Sequence, residues 1–441
     1  MTFAELLPAI MFLVFTLLIL LGYPVAFTIA GTALAFGVYA FGLGFFDLLP
    51  LRVWGVMTNV TLLAVPLFVF MGVTLERSGL AEDLLETMGF VFGRIPGGIA
   101  IATVIVGTLL AASTGIVGAT VTTMGLISLP TMIRRGYQKE LVTGVICASG
   151  TLGQIIPPSI VLVIVGDILG VSVGDLFLGA LIPGLVLSWF YLIYLLVFCF
   201  LHPELAPPIP AEERAAVSSR ELARRVSRVL IPPLALMVCV LGSIFFGIAS
   251  PTEAAAVGAT SALILTVVNR KFTWPMLYQT MDVTVRLTSI VFIILVGATS
   301  FGLAFRGMGG DTLIRNFITH MQLSPWAVFS SVMGLVFILG FFLDFIEISF
   351  IHLPVLAPIL TAMGFDPIWY GVVLGVNLQT SFLTPPFGYA LFYLRAVAPP
   401  EVTTGHIYRG IIPFVGLQLI GMVIVILFPW TVTWLPRLVF G

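Results

Sequence analysis

Two carboxylates stand in an apolar stretch of the chain, where charge is costly. Asp344 and Glu347 occur in GFFLDFIEISFIH, three residues apart, which places them on one face of a helix. They would bind a cation or carry a proton. Alternatively, Asp344 would cap a helix that begins there, with Glu347 in its first turn. The sequence leaves both interpretations open.

Paired prolines interrupt two further apolar runs. Proline removes a backbone donor and clashes with the preceding turn, so a helix must open at Pro157-Pro158 and at Pro385-Pro386. Backbone groups freed at mid-membrane depth are tolerated only inside protein or beside water. We therefore predict oxygen ligands for a hard monovalent cation at each opening, and a following half-helix whose positive end faces an anion. The nearby polar and small residues are Gly150, Thr151, Gly153 and Gln154 at the first opening, and Asn377, Gln379, Thr380, Ser381 and Thr384 at the second.

Two other ionisable residues have structural explanations. Glu253 follows Ser250 and Pro251, an order typical of a helix start, so it is either a capping residue or the partner of an arginine such as Arg306. His352 has no second histidine nearby and no HExxH pattern, so we expect a core histidine and no metal site.

Three landmarks recur at a constant spacing of 228 residues, which indicates an internal duplication. A duplicated membrane protein is typical of a transporter. The paired positions are Pro130 and Pro358, Gly136 and Gly364, and the two proline pairs.

The composition excludes a soluble domain. The chain has 441 residues, 59% hydrophobic and 9% charged, with a mean hydropathy of +1.17. We expect a helical protein that crosses the lipid bilayer many times. The net charge of −1 gives no reason to expect a nucleic-acid partner.

Two apolar tracts are too long for a single crossing. Residues 96–133 cover roughly twice the length that one helix needs to cross ~30 Å of hydrocarbon, and small polar residues interrupt them near Ser113-Thr114-Gly115. We predict a re-entrant hairpin there and a second one at 325–363, each followed by a broken helix, at 139–170 and 366–397. The predicted fold is an all-α polytopic membrane protein with inverted repeats. Single spans are predicted at 5–22, 24–43, 54–75, 176–201, 229–249, 253–268, 287–305 and 411–435, with a polar connector after residue 75 and an amphipathic connector after residue 268.

The basic residues indicate the orientation. The hydrophilic linker 203–228 carries five arginines, so we expect it to be cytoplasmic. Threading from that linker places fifteen of the nineteen basic residues inside, and both chain termini outside.

Six stretches, spread from about residue 107 to 397, together resemble the large membrane subunit of tripartite ATP-independent periplasmic (TRAP) transporters. That resemblance implies a carrier of the bacterial inner membrane, not an enzyme, driven by sodium and working as an elevator. It also implies three partners: a periplasmic substrate-binding protein, a separate small membrane subunit of four helices, and an organic-acid substrate. The stretches are LPTMIRRGY, GTLGQIIPPSIVLVIVG, VSVGDLFLGALIPG, ASPTEAAAVGA, GFFLDFIEISFIHLPVLAPIL and LQTSFLTPPFGYALFYLR.

The resemblance also implies two sodium sites and several further functional positions. The first site would comprise Ser113, Thr114, Gly118, Gly153, Ile156 and Pro158. The second would comprise Asp344, Asn377, Ser381, Thr384 and Pro386. The further positions are Ser172, Glu253, Arg306 and Asp344.

An elevator requires a fixed scaffold and a moving transport domain. We expect scaffold helices at 1–93, 176–324 and 399–441, and the halves of the transport domain at 94–175 and 325–398. The alternatives are a stand-alone or proton-coupled organic-anion symporter of the same superfold, a passive channel, and an intramembrane enzyme using Asp344 and Glu347. The channel is disfavoured because the polar residues cluster at two symmetric places, and the enzyme because a GxGD motif is absent.

Overall fold

A computed structural model describes residues 3–321 and 323–441, with the side chains of residues 3, 4, 113, 114, 317–319 and 321 outside the description. Within this part every regular element is helical. The helices are α1 Phe3–Leu20, α2 Val25–Phe41, α3 Phe45–Met57, α4 Ala64–Arg77, α5 Leu80–Val91, α6 Gly98–Thr114, α7 Val117–Arg134, α8 Lys139–Thr151, α9 Ile160–Leu169, α10 Val173–Leu201, α11 Ala211–Ala215, α12 Ser219–Val229, α13 Ile231–Phe245, α14 Pro251–Val268, α15 Trp274–Gly307, α16 Gly310–Met321, α17 Pro325–Leu339, α18 Phe345–Glu347, α19 Leu353–Ala362, α20 Pro367–Leu383, α21 Tyr389–Val397, α22 Thr404–Leu427 and α23 Trp430–Phe440. A π-helical turn, Ile348–His352, joins α18 to α19.

The predicted membrane architecture is confirmed. Seven helices of the described residues are long and apolar enough to cross a bilayer, or eight if one bent pair counts as a span. The chain is therefore a multi-pass helical membrane protein.

Several boundaries differ from the predicted ones. Helix α3, Phe45–Met57, fills most of the gap predicted between the spans 24–43 and 54–75, and the second of these spans is divided between α3 and α4. The polar connector predicted after residue 75 is largely helix α5, whose axis is bent by 59° from that of the preceding helix. Leu84, Leu85 and Met88 bury one face of α5, which explains why this charged segment is helical. The connector predicted after residue 268 is for the most part the first half of α15, one helix of 34 residues. The last predicted span instead occupies Thr404–Leu427, and α23 follows it.

The duplication is visible in the helix boundaries. Helix α7 begins at Val117 and ends at Arg134, and the returning arm of the second hairpin covers Phe345–Ala362, offset by 228 residues at both ends. Gly136 and Gly364 both have positive φ, and both proline pairs contain a cis peptide bond. We call α6–α7 hairpin 1 and α17–α19 hairpin 2. The residues between α8 and α9 are opening 1, and those between α20 and α21 are opening 2.

The helices pack in two groups. Helices α1, α2, α3, α4, α13, α14 and α15 contact mainly one another, with α2 against α15 and α14 against α4. Helices α10 and α22 pack instead against the broken helices, α22 along α8 and α20, and α10 along α6, α9 and α20. These contacts surround the two openings with helices on several sides.

The hydrophilic linker lies under the base of hairpin 1. Ile209 donates its backbone N–H to Gly93 at 2.9 Å. Arg135 forms a two-pronged ion pair with Glu213 at 2.9 and 2.6 Å. The guanidinium holds the pKa of Glu213 below its usual range, because its hydrogen bonds favour the charged carboxylate.

Two glycines bring α8 and α22 into backbone contact. A Cβ placed on Gly144 would lie 2.1 Å from the carbonyl oxygen of Gly410, and one on Gly410 would lie 2.0 Å from that of Glu140. Such an approach is typical of membrane helices, because small residues let backbones pack closely. It fixes the position of α8, which leads into opening 1.

We expect Gly144→Ala and Gly410→Ala to destabilise the protein by about 1–3 kcal/mol, because the added methyl group meets a backbone that cannot rotate away. The measurement is the thermal unfolding midpoint of purified protein in detergent. Gly416→Ala is the matched control, since Gly416 also lies in α22 but has open space around its Cα. Equal midpoints for all three variants would contradict the close-packing argument.

Candidate functional site

The tip of hairpin 1 lies against the end of opening 1. Helix α6 ends at Thr114, Gly115 takes a positive φ of 62°, and α7 begins at Val117. A Cβ on Gly115 would lie 3.0 Å from the backbone nitrogen of Ile160, the first residue of α9. The predicted turn of this hairpin is therefore confirmed in position. The side chains of Ser113 and Thr114, both predicted sodium ligands, lie outside the described residues.

Opening 1 packs against α6, the first arm of the same hairpin. A Cβ on Gly153 would lie 2.2 Å from the carbonyl oxygen of Ala111, so only glycine fits there. Ser159 donates its hydroxyl to the carbonyl of Gln154 at 2.7 Å. Ile156 and Pro158 are buried beside this turn.

Gly118, another predicted ligand of the first site, faces helix α21. A Cβ on Gly118 would lie 2.7 Å from Cζ of Tyr393, so the glycine faces the tyrosine ring on α21. Tyr393 was not singled out from the sequence. Tyr389, one turn earlier on α21, donates its hydroxyl to the carbonyl of Phe342 in the tip of hairpin 2 at 2.9 Å. Helix α21 thus contacts both hairpins. In the sequence, the i, i+4 spacing that places Tyr389 and Tyr393 on one helix face was the signal that could have identified these two residues.

The tip of hairpin 2 confirms the capping interpretation of its two carboxylates. Asp344 is the N-cap residue of the returning arm, and its carboxylate accepts from the backbone N–H of Phe345 at 2.7 Å. Glu347 reaches back and accepts from the backbone N–H of Asp344 at 3.0 Å. Capping does not exclude cation binding, because a carboxylate has more acceptor positions than one cap uses.

The last turns of α20, which lead into opening 2, are joined to hairpin 2 by side-chain hydrogen bonds. Asn377 donates its amide to the carbonyl of Met333 at 2.8 Å, and Ser381 donates its hydroxyl to the carbonyl of Phe337 at 2.7 Å. Both groups act as donors here, so the amide oxygen of Asn377 and the lone pairs of Ser381 stay available as ligands. Thr384 donates to the carbonyl of Thr380 at 2.8 Å.

Pro386 is the exposed member of the predicted second site. Its carbonyl accepts a hydrogen bond from the hydroxyl of Tyr408 at 2.7 Å. Oxygen atoms without thiolate or imidazole are the donor set that suits a hard cation. The residues at opening 2 therefore fit a sodium ion.

Buried amides lie next to both openings. The side chains of Gln154 and Gln379 are completely buried. Among the described residues the amide atoms of Gln154 have no hydrogen-bond partner, whereas the amide of Gln379 faces the buried hydroxyl of Tyr191 on α10. Buried polar groups are normally satisfied by protein, water or an ion. Both openings therefore have the polarity of sites that take up water or ions.

The remaining predicted positions are helix caps or helix contacts. Ser172 accepts from the backbone N–H of Asp175 at 3.3 Å and caps α10. Glu253 forms a capping box with Ser250, as one of the two interpretations held. Arg306, the other proposed partner of Glu253, instead donates to the carbonyl of Pro354 in hairpin 2 at 3.2 Å.

His352 is a buried residue beside Phe12, with ring centroids 5.7 Å apart. The described residues contain no cluster of His, Cys, Asp and Glu that would hold a metal ion. The burial of His352 agrees with the expected hydrogen-bonded core histidine, but its Nδ1 has no hydrogen-bond partner among the described residues.

Comparison with known proteins identifies the family of these features. Residues 12–431 match the family described as tripartite ATP-independent periplasmic transporter, DctM component. The C4-dicarboxylate TRAP transporter large permease protein DctM of Pseudomonas aeruginosa is 32% identical over 390 residues, 88% of this chain and 89% of that protein. The ectoine TRAP transporter large permease protein TeaC of Halomonas elongata is 30% identical over 96% of this chain and 97% of its own length.

A fused relative and a solved structure extend the comparison. The isethionate TRAP transporter permease protein DctMQ of Oleidesulfovibrio alaskensis is 30% identical over 93% of this chain, which spans 63% of that longer protein. The crystal structure of the YdaH transporter of Alcanivorax borkumensis matches with a TM-score of 0.62 at 13% identity, over 95% of this chain and 99% of that one. This second likeness concerns the fold alone.

The two repeats pack their openings in opposite ways, which gives a direct test. In the first repeat, made of hairpin 1 and opening 1, the close contact is made by a glycine of the opening, Gly153, against Ala111 of α6. In the second repeat, made of hairpin 2 and opening 2, the glycine belongs to the hairpin: a Cβ on Gly340 would lie 2.6 Å from Oγ of Ser381. We expect Gly340→Ala alone to lower stability by about 1–3 kcal/mol. Adding Ser381→Gly should recover part of that loss by removing the obstructing side chain.

The measurement is a double-mutant cycle of thermal midpoints for Gly340→Ala, Ser381→Gly and the pair. Coupling of about 0.5 kcal/mol or more supports the contact, since touching residues are not additive. Strict additivity would mean that hairpin 2 and opening 2 do not pack in this way. Gly334→Ala, in open space on the same hairpin arm, controls for the effect of alanine itself.

Proposed function

Because this chain belongs to the DctM family of tripartite ATP-independent periplasmic transporters, we propose that it takes up a small organic acid on a sodium gradient. In this proposal the chain is the large permease subunit in the bacterial inner membrane. The observation that carries it is the pair of proline openings, each buried against a re-entrant hairpin.

Sodium coupling is supported by the donor set. The end of α20 and opening 2 offer the side-chain oxygens of Asn377, Ser381 and Thr384, and the unwound backbone adds carbonyls. The tip of hairpin 2, which packs against Ser381 at Gly340, contributes the carboxylate of Asp344. Opening 1 offers mainly backbone carbonyls near Gly153. We propose one sodium ion at each opening, with the residues of the two predicted sites as ligands.

An elevator mechanism is supported by the way the helices group. Hairpins, broken helices, α10 and α22 pack together, whereas α1–α4 and α13–α15 pack mainly among themselves and touch the first group through α4 and α15. We therefore propose that α10 and α22 move with the transport domain, although the sequence interpretation placed both in the scaffold. The movement would carry both openings across the membrane as one rigid unit.

The substrate class follows from the relatives and from helix polarity. Relatives are named for C4-dicarboxylate, isethionate and ectoine, so the family name alone does not select one substrate. The half-helices α9 and α21 begin beside the hairpin tips and direct positive helix ends there. We propose that this polarity receives the acidic group of the substrate.

The partners in this proposal are a small four-helix membrane subunit and a periplasmic binding protein. The fused relative DctMQ supports the first partner, because it joins a longer segment to the part that matches this chain. The distribution of basic residues supports a cytoplasmic linker and periplasmic termini.

Transport assays with the complete assembly test the proposal. The chain would be reconstituted in proteoliposomes with the small subunit and binding protein encoded beside its gene. Uptake of labelled C4-dicarboxylate, isethionate and ectoine would then be measured with external sodium or with choline in its place. We expect saturable uptake of one compound that collapses without sodium.

Two results would favour the rival carriers. Uptake without any binding protein would indicate a stand-alone symporter. Uptake driven by a pH gradient in the absence of sodium would indicate proton coupling, for which Asp344 is the candidate carboxylate.

Asp344→Asn separates capping from cation binding. Asparagine keeps an oxygen for the cap but removes the negative charge. We expect the variant to keep its thermal midpoint, whereas the sodium concentration for half-maximal uptake rises about tenfold, equivalent to ~1.4 kcal/mol.

Asp366→Asn is the matched control for this variant. Asp366 caps α20 by accepting from the backbone N–H of Ile368 at 2.8 Å, but it lies at the far end of that helix from opening 2. Unchanged sodium dependence in Asp344→Asn, or an equal change in both variants, would contradict the assignment of Asp344 as a ligand.

A further inference from the structure

A groove of about 350 Å³ lies between α5, the junction of α12 with α13, and the end of α14, beside the hydrophilic linker. Its walls come from the start of α5, from the junction of α12 with α13, and from the residues after α14. Its charged and polar lining consists of Asp83, Glu86, Arg225, Arg228, Asn269 and Lys271.

The ion pairs in this groove do not involve all of its basic side chains. Lys271 pairs with Asp83 at 3.0 Å. Arg225 lies 3.9 Å from Glu86 and 2.7 Å from Glu221. Arg228 is exposed and has no ion-pair partner among the residues that the structure describes.

A second donor in the groove is also without an acceptor. The amide nitrogen Nδ2 of Asn269 is buried, and within the described part of the chain no group accepts its hydrogen bonds. The next residue, Arg270, has a φ of 57°, in the left-handed region that favours glycine. This turn ends α14 and places both Asn269 and Lys271 in the wall of the groove.

The groove lies at the depth of lipid headgroups. Helix α12 continues into the membrane helix α13, and Ser219–Phe245 together form one candidate span. Arg228 precedes Ile231 by three residues, roughly 4.5 Å along the helix axis. The polar layer of a bilayer leaflet is about 5–8 Å thick. With the hydrocarbon layer taken to begin at Ile231, the first residue of the apolar helix α13, Arg228 falls within this polar layer.

We propose that this groove binds the headgroup of an anionic glycerophospholipid. Its phosphate accepts hydrogen bonds from the exposed guanidinium of Arg228, and a rotation of the Asn269 side chain brings the unpaired Nδ2 of this wall residue to the same phosphate. Basic pockets between membrane helices recognise anionic headgroups through the same combination of charge and hydrogen-bond donors. The bound lipid holds α5, α13 and α14 together at the membrane surface, and this role is independent of the transported substrate.

The test uses the full-length protein in detergent with two probe lipids, dioleoylphosphatidylglycerol and dioleoylphosphatidylcholine. Native mass spectrometry counts the lipids retained, and thermal midpoints report the stabilisation. We expect the wild-type protein to retain phosphatidylglycerol preferentially. Arg228→Gln should weaken that binding about fivefold, the effect of one basic residue near a charged surface, and Asn269→Ala should weaken it further.

Arg220→Gln is the matched control, because Arg220 lies on the same helix two turns away and lines a different surface. Arg228→Lys, which keeps the charge, should keep most of the binding. Equal retention of both lipids by the wild-type protein would overturn the proposal, as would equal losses in Arg228→Gln and Arg220→Gln. Full competition by millimolar inorganic phosphate would show a site for free anions instead of a lipid site.

Discussion

The structure depends on one constraint: backbone polar groups inside a bilayer have no water to bind, so a helix that opens there must lean on protein. Both proline pairs open a helix in the middle of an apolar run. Each opening is covered by a re-entrant hairpin, with Gly153 against the carbonyl of Ala111 in one repeat and Ser381 bonded to the carbonyl of Phe337 in the other. The hairpins are therefore a structural requirement of the openings as well as candidate parts of the site.

The repeats meet this constraint by different chemistry. Repeat 1 uses close packing of backbone on backbone, which only glycine permits at position 153. Repeat 2 uses the side chains of Asn377 and Ser381, which donate to carbonyls of α17. Close packing leaves backbone carbonyls as the main oxygens at opening 1, whereas opening 2 adds side-chain oxygens. The two openings are thus related by duplication but are not chemically equivalent.

Sequence reasoning succeeded where a local rule was decisive. The helix breaks at the proline pairs, and the Asp344 cap that was one of two interpretations left open, each depend on a few neighbouring residues, and the structure has both. The 228-residue offset was found from repetition along the chain instead, and the helix boundaries repeat at the same spacing. Helix α5 was not predicted because the charges of Glu82, Asp83 and Glu86 indicated a polar connector, although apolar residues recur at helical spacing on the other face of this segment. The contact of Tyr393 with Gly118 joins residues from different repeats, and no local pattern predicts such a pair.

The difference in charge between the two hairpin tips gives a physical reason why a cation and an anion would be transported together. The N-cap residue of α7 in the tip of hairpin 1 is Ile116, which has no side-chain acceptor, so among the described side chains none offsets the positive end of that helix. The tip of hairpin 2 already contains two carboxylates at the start of its returning arm. An acidic substrate approaching both tips would be repelled by these carboxylates, unless a cation at opening 2 offset their charge. Under the proposed function, binding of sodium beside Asp344 therefore makes binding of the organic acid more favourable, which is the coupling that a symporter needs.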